Sequence, residues 1–396
     1  MNFVFISPNF PEIYRFFCIR LKENGVNVLG IGDCPYADLR PDLKAALTEY
    51  YKVSTLENYD EMVKAMGYFT FKYGKIDWLE SNNEYWLEQD ARLRTDFNIT
   101  TGLKTQDLPR FKYKSAMKEY YKKAGIPAAR YQMATDLDSA RAFVRTVGYP
   151  IVAKPDNGVG AADTHRISND EQLAKFFAEK PAEPYIMEEY VTGAVTTYDG
   201  VVNSKGEVLF GTSHIAPNSI MDMVNEGVAC YYYVDKEVPP EVEKAGKAVL
   251  KAFGAKSRAF HLEFFRLTEP KENLGRVGDI VALEVNMRPA GGFTPDMINF
   301  ANSVDMYQIW ADMVAFDERR HTYQGPKQYC VYCGRRDGVN YLRTPEQIGK
   351  ECSSVLKLQT RMPDALAGAM GNQVFIACFQ DLEQMNRFVK YAFETR

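Results

Sequence analysis

The sequence predicts a mixed α/β and α+β protein, with a parallel, doubly wound sheet at its N terminus and antiparallel layers after it. Three observations carry this. The opening runs "NFVFIS", "PEIYRFFCIRLKENG" and "VNVLGIG" read strand, helix, strand, an order that implies parallel pairing. Further on, "TTYDGVVNS" with "EVLFGTSHI", and "AFHLEFFRL" with "IVALEVNMR", are strand runs joined by short connections, as antiparallel pairs are. The chain has 396 residues, long for one core and enough for two or three packed domains.

The elements follow from local pattern. The first helix ends at Gly25, and "EYYKVS" and "KIDWLES" supply further strands. "NNEYWLEQDARLRTDF" predicts a helix with Asn82 or Asn83 near its N-cap. No G-x-G-x-x-G follows the first strand, so a dinucleotide fingerprint is absent. A shift comes at "KTQDLPRFKYK". "SAMKEYYKKAGIP" is a helix stopped by Gly125 and Pro127, "ARYQMA" a strand and "DLDSARAFVRTVGYP" a capped helix. "PIVAKP" is a short buried strand ending in Lys154, and "DNGVGAADTHRI" is a glycine-containing turn returning into a strand. "DEQLAKFFAEK" is a helix, "YIMEEYV" a strand and "PEVEKAGKAVLKAFG" a helix. The tail from about residue 321 reads as a small α+β segment, with Cys330 and Cys333 of "CVYC" inside a strand rather than on zinc, which needs four ligands.

Composition narrows the function. Hydrophobic residues at 46% and charged residues at 25% are ordinary for a soluble globular protein, and a net charge of −4 gives no reason to expect nucleic acid. No apolar run approaches the ~18 residues a membrane span needs, and "MNFVFISPNF" lacks a basic n-region. Seven scattered cysteines, an odd number, read as reduced thiols, so a cytoplasmic location is expected.

The chemistry concentrates in "FHLEFF" and "LEVNMRPAGG". In "VALEVNMR", Val281, Leu283, Val285 and Met287 alternate with Ala282, Glu284, Asn286 and Arg288, so one strand face is greasy and the other polar. His261 and Glu263 share a face of the preceding strand. Antiparallel pairing would bring Glu263 and Glu284 to about 5 Å, a repulsive contact with no lysine interleaved on that face. Glu263, Glu284 and the Asn286 carbonyl are hard oxygen ligands suited to Mg²⁺, and Arg288 can clamp an anion beyond it. Lys154 ends an apolar strand, where an ammonium is costly unless an anion meets it. Gly158 and Gly160 beside it give backbone able to close over phosphates. Lys114 in "YKSAM" is a second candidate cation. It lies among Lys112, Lys118, Lys122 and Lys123, so a solvated helix face competes with that role. "MEEYVTG" offers main-chain groups around Glu189 and Val191, and the Glu188 side chain, to an adenine edge. His261 can line the site or be a satisfied core histidine. Arg335 and Arg336 can reach a substrate or cap a turn.

Taken in order, "KSAMK", "PIVAKPDNGVGA", "MEEYVTG", "FHLEFF" and "LEVNMRPAGG" resemble the ATP-grasp superfamily, specifically its carboxylate–amine ligase branch. The resemblance implies a Rossmann-like preATP-grasp domain over residues 1–108. A smaller ATP-grasp subdomain would follow over 109–190 and a larger one over 191–320, with the tail, 321–396, packed on them. By position it assigns Lys114 and Lys154 to ATP phosphates, with Gly158 and Gly160 over them, and Glu188, Glu189 and Val191 to adenine. It assigns Glu263, Glu284 and Asn286 to two Mg²⁺ ions, with Mn²⁺ as an alternative. Arg288 goes to the transferred phosphoryl group, and Gly291 and Gly292 to the substrate carboxylate. No Glu follows the hinge glycine in "GAVTTYDG", which leaves Glu189 or Asp199 as candidates for the ribose.

The implied activity is an ATP- and Mg²⁺-dependent ligase. It would activate a small-molecule carboxylate as an acyl phosphate, join it to an amine and release ADP. The implied partners are those two substrates, without nucleic acid or membrane, and with room for a homodimer. One rival is a bicarbonate-using enzyme similar to carbamoyl-phosphate synthetase or biotin carboxylase; neither a second ATP-grasp copy nor a biotinyl "MKM" segment is present. The other is a nucleotide-binding regulatory module without turnover.

Overall fold

A computed structural model of the chain describes residues 1–158, 163–217 and 230–396, with the backbone alone at position 365. Gly160 and part of the "DNGVGAAD" turn therefore lie outside the described residues.

The N-terminal unit alternates β1 (Asn2–Ile6), α1 (Arg15–Glu23), β2 (Asn27–Gly32), α2 (Pro41–Ala46), β3 (Glu49–Lys52), α3 (Tyr59–Tyr73), β4 (Trp78–Glu80) and α4 (Leu87–Asp96). Its strands run in the order β3-β2-β1-β4, all parallel. Phe3 to Ile6 are apolar throughout because both faces of β1 are covered, as in doubly wound sheets. The predicted helix at Asn82 begins later, at Leu87. Asn82 takes a left-handed φ of 56°, and Ser81 folds back onto Asp90, so residues 82–86 form a turn that presents Glu84.

The second unit contains α5 (Leu108–Lys112), α6 (Lys114–Ala124), β5 (Tyr131–Met133), α7 (Leu137–Val147), β6 (Ile151–Pro155), β7 (His165–Ile167), α8 (Asp170–Glu179) and β8 (Tyr185–Glu189). Its small antiparallel sheet has the order β5-β8-β6-β7. Helix α6 stops where Gly125 turns left-handed at φ 70°, a conformation that costs glycine least.

The third unit begins with β9 (Gly193–Val202), β10 (Val208–Thr212), β11 (His214–Ala216), β12 (Cys230–Val234), α9 (Pro240–Phe253), β13 (Arg258–Leu267) and β14 (Ile280–Asn286). It continues through α10 (Thr294–Asn302), α11 (Met306–Phe316), β15 (Tyr329–Arg335), α12 (Pro345–Glu351), β16 (Leu356–Arg361), α13 (Asp364–Met370), β17 (Gln373–Phe379) and α14 (Leu382–Phe393). The strands form one sheet, β14-β13-β9-β11-β12-β15-β17-β16, with β10 beside β9. The tail thus extends the large sheet, and Cys330 and Cys333 are buried thiols in β15.

The units meet through two contrasting contacts. Trp310 of α11 packs its ring edge against Phe3 and Phe17, within one cluster that also holds Trp78. Each such aromatic burial contributes roughly 1.5–3 kcal/mol. Beside it, the buried Glu80 accepts from both Arg94 (2.9 Å) and Arg258 (2.5 Å). Arg258 also donates to the Met287 carbonyl at 3.0 Å, which ties β4 to the end of β14. A charge buried this deeply is tolerable only when fully paired.

Candidate active site

Strands β9, β13 and β14 place six polar side chains in a grid on one face of the large sheet. Glu263 lies opposite Thr197 on one side and Glu284 on the other. Two positions along each strand, His261 lies opposite Asp199 and Asn286. Residues two apart share a face, so the second row stands directly beside the first. The expected juxtaposition of Glu263 and Glu284 is therefore present.

The expected alternation along β14 is broken. A bulge after Glu263 pairs Phe264 with Ala282 and leaves Leu283 as the extra residue. Ala282, Val285 and Met287 join the core under α6 and α9, whereas Leu283 packs with Phe210 and Phe265 against a different cluster. The greasy face is thus Ala282, Val285 and Met287, and the bulge re-aims Glu284.

Nor does this face lack a lysine. Lys114, the first residue of α6, reaches Glu284 with Nζ at 3.0 Å and also donates to the Gly158 carbonyl at 2.9 Å. Sequence adjacency could not show this, because the cation comes from another unit. Burial disfavours the Lys114 ammonium, but Glu284 outweighs it and raises its pKa. Asp156 pins α6 in place: its carboxylate accepts from the Ser115 N–H and hydroxyl, both at 2.7 Å, and its carbonyl accepts from the Lys114 N–H at 2.9 Å.

The small sheet faces the grid with a second charge cluster. Glu188 of β8 is met by Lys154 of β6 at 2.6 Å and by Lys118 of α6. Burial would push the Glu188 carboxyl up, yet the two lysines hold it at about 2. Lys118 is buried, and burial pulls its own pKa down, so this part of α6 is not a solvated lysine face; Lys112 is buried as well. Lys118 stands one turn beyond Lys114, the spacing that puts both on one helix side. That i, i+4 interval was the available sequence signal for it.

Other expected residues have different surroundings. Glu189 points to the opposite face of β8, where Arg130 grips it through its N–H (2.8 Å), Nε (3.0 Å) and Nη2 (2.7 Å). The Val191 side chain packs with Ala129 and Leu267, leaving its main chain for any ligand. Asp199 accepts from His261 at 2.6 Å and His214 at 2.8 Å, so neither it nor Glu189 is a free acceptor for a ribose. Burial opposes ionisation of Asp199, but the two imidazoles keep its pKa well below the usual carboxylate range. His261 completes the line by meeting Glu263 at 2.9 Å. Burial would lower the His261 pKa; Asp199 and Glu263 instead raise it to about 9. His261 is therefore both satisfied and in the site.

Arg288 turns toward the N-terminal unit, where Glu84 accepts from its Nη2 at 2.5 Å and Nε at 3.1 Å. Just beyond, a Cβ on Gly291 would meet nothing within 4 Å, so the backbone there is open to a ligand. Gly292 takes φ +60°, and a Cβ on it would come within 2.8 Å of Met370 Cε. Arg335 is buried, stacked 3.7 Å from the Tyr341 ring centre and donating to the Arg343 carbonyl. Arg336 donates to the Gly368 carbonyl.

The donors fit a hard divalent cation. Glu263 and Glu284 are adjacent, and Asn286 Nδ2 is buried without a hydrogen-bond partner. Amide nitrogen and oxygen exchange places by rotation, so Asn286 can present its oxygen there.

No family model matches the chain. It is similar to the L-arginine-specific L-amino acid ligase of Bacillus subtilis, 24% identical over 327 residues, or 78% of this chain and 74% of that protein. It is also similar to the mitochondrial ammonia-type carbamoyl-phosphate synthase of Aquarana catesbeiana, 25% identical over 177 residues. That match spans 42% of this chain but only 11% of that protein. Among solved structures, the L-amino acid ligase from Bacillus licheniformis superposes with a TM-score of 0.70 at 14% identity, covering 98% of this chain and 96% of that one.

Proposed function

We propose that this chain, whose fold is the ATP-grasp fold of carboxylate–amine ligases, joins a small-molecule carboxylate to an amine with hydrolysis of ATP to ADP. The observation that carries the reading is Glu263 opposite Glu284 on the large sheet, with Lys114, Lys118 and Lys154 converging from the second unit. We take the units as 1–108, 109–190, 191–320 and 321–396, the last completing the large sheet, and the location as cytoplasmic; a homodimer is compatible with this reading.

Lys114 and Lys154 would leave their carboxylate partners and bind the phosphates of ATP, with Gly158 and Gly160 as the expected backbone over them. The Glu188 side chain and the main chain from Glu189 to Val191 are the elements for adenine. Glu263, Glu284 and Asn286 would hold Mg²⁺, or Mn²⁺, which supplies charge neutralisation at the transferred phosphate. Two ions would offset the roughly four negative charges of a nucleoside triphosphate. The substrate carboxylate then attacks the γ-phosphate, giving an acyl phosphate and ADP. The amine displaces phosphate from the acyl carbon. Arg288, Gly291 and Gly292 position the anions, and the chain's own contribution is orientation and electrostatics.

The test is an ADP-release screen across amino acids and small acids, with hydroxylamine standing in for the amine. The expected product is a hydroxamate in equal amount to ADP. AMP and pyrophosphate would indicate an acyl adenylate instead and refute the acyl-phosphate route.

A further inference from the structure

A cavity opens on the face of the large sheet opposite the charged grid. Tyr198 sits between Thr197 and Asp199 on β9, so its side chain points the other way. There it lines a cavity of about 1060 Å³ bounded by β10, α9 and the segment 319–327. The Tyr198 ring is held in a slot that two glycines create. A Cβ on Gly246 would come within 2.2 Å of the ring, and one on Gly211 within 2.8 Å of the hydroxyl. The residue is 1% exposed, yet its hydroxyl makes no hydrogen bond to any described residue. The ring is enclosed, and the hydroxyl end, beside Gly211, borders the cavity.

The lining is basic although the chain is acidic overall. Six cationic side chains face two carboxylates there, against a net charge of −4 for the whole chain. Glu243 and Glu237 are taken by Lys247 and Lys327, at 2.6 and 2.7 Å. Lys205, Lys251 and Lys256 make no ion pair with any described residue. They come from the β9–β10 turn, from α9 and from the segment just after it, so different elements contribute exposed lysines to one opening. Phe210 and Tyr323 contribute rings to the walls between them.

We propose that this cavity binds a phosphorylated small molecule with a planar apolar body. The body packs against Phe210 and Tyr323, the phosphate meets Lys205, Lys251 and Lys256, and a polar atom of the ligand accepts from Tyr198. Unpaired ammonium groups favour a dianion over a single carboxylate.

Phenyl phosphate is the probe, titrated calorimetrically into the full chain, with inorganic phosphate and phthalate as comparators. Saturable binding of phenyl phosphate, tighter than that of inorganic phosphate or phthalate, is expected. The double variant Lys205→Gln/Lys251→Gln should weaken it by at least about tenfold, as losing charge-assisted contacts does. Tyr198→Phe, which keeps the ring in its slot, should weaken it several-fold with an unchanged melting temperature. Lys154→Met, in the other site, should leave it intact. Absence of saturable binding overturns the proposal. So does binding that is lost in Lys154→Met but kept in the double variant, since the probe would then be in the nucleotide site. Phthalate binding as tightly as phenyl phosphate overturns the phosphate assignment.

Discussion

Arg288 and Glu84 are 204 positions apart in the chain, yet the guanidinium Nη2 lies 2.5 Å from the carboxylate. The pair joins the end of the large sheet to a turn of the N-terminal unit and places an internal anion where the proposed reaction needs an external one. Burial would raise the Glu84 pKa, but Arg288, with Lys112 and Lys114 nearby, lowers it, so Glu84 stays ionised and competes for Arg288.

Glu84→Gln should therefore lower the KM for the carboxylate substrate. It should also destabilise the fold, by about 3–5 kcal/mol if Arg288 is left without a counter-charge. Steady-state kinetics beside denaturant unfolding would show both. A KM that rises instead would mean that Glu84 contacts the substrate directly.

Glu284→Gln should cut Mg²⁺-dependent ADP release by about 100-fold or more, because a metal-bound carboxylate is worth several kcal/mol in the transition state. The circular dichroism spectrum should be unchanged. Near-normal turnover at limiting Mg²⁺ would remove Glu284 from the metal set.

Lys154→Met should weaken ATP binding by about 1.5–3 kcal/mol, the cost of one charge-assisted contact. Lys118→Met should have a smaller effect on ATP, since Lys118 pairs with Glu188 and has no phosphate contact in the proposed complex. Calorimetry settles the order, and equal affinities in wild type and Lys154→Met would contradict the phosphate role.

Acid should act through Glu188. Its folded pKa, about 2, lies below the ordinary 4.5, so its contribution to stability is complete above pH 4.5 and is lost as pH falls through 2. The difference corresponds to something on the order of 3 kcal/mol. Glu188→Gln should flatten the loss of stability between pH 4.5 and 2 while lowering stability at pH 7, where Lys118 and Lys154 would face each other unpaired. Urea unfolding at pH 7 and pH 3 checks this; an unaltered acid profile would show that the lysines do not hold Glu188.

The strand-borne part of the site was legible because β periodicity carries it. The order of "FHLEFF" and "LEVNMR" and the loop between them were enough to set Glu263 against Glu284. What could not be read were the partners that arrive from other elements. Lys114 on Glu284, Arg130 on Glu189, Glu84 on Arg288 and His214 on Asp199 are tertiary contacts between elements whose relative placement no local pattern encodes. The Leu283 bulge escaped for a different reason. One extra residue changes strand register without changing hydrophobic composition, so strict alternation was the only reading available. The start of α4 was misplaced because Asn82, a good cap by type, is used in a left-handed turn.

The continuity of the large sheet has a consequence for synthesis. Strand β12 finds its outer neighbour, β15, about a hundred residues later, after β13 and β14 have been laid down on the other side of β9. A nascent chain emerging from the ribosome carries β12 as an open edge until the last segment is released. Such unpaired edges invite association between chains. Proteins shortened before residue 329 should accordingly collect as insoluble material, even though every residue of the charged grid would be present in them.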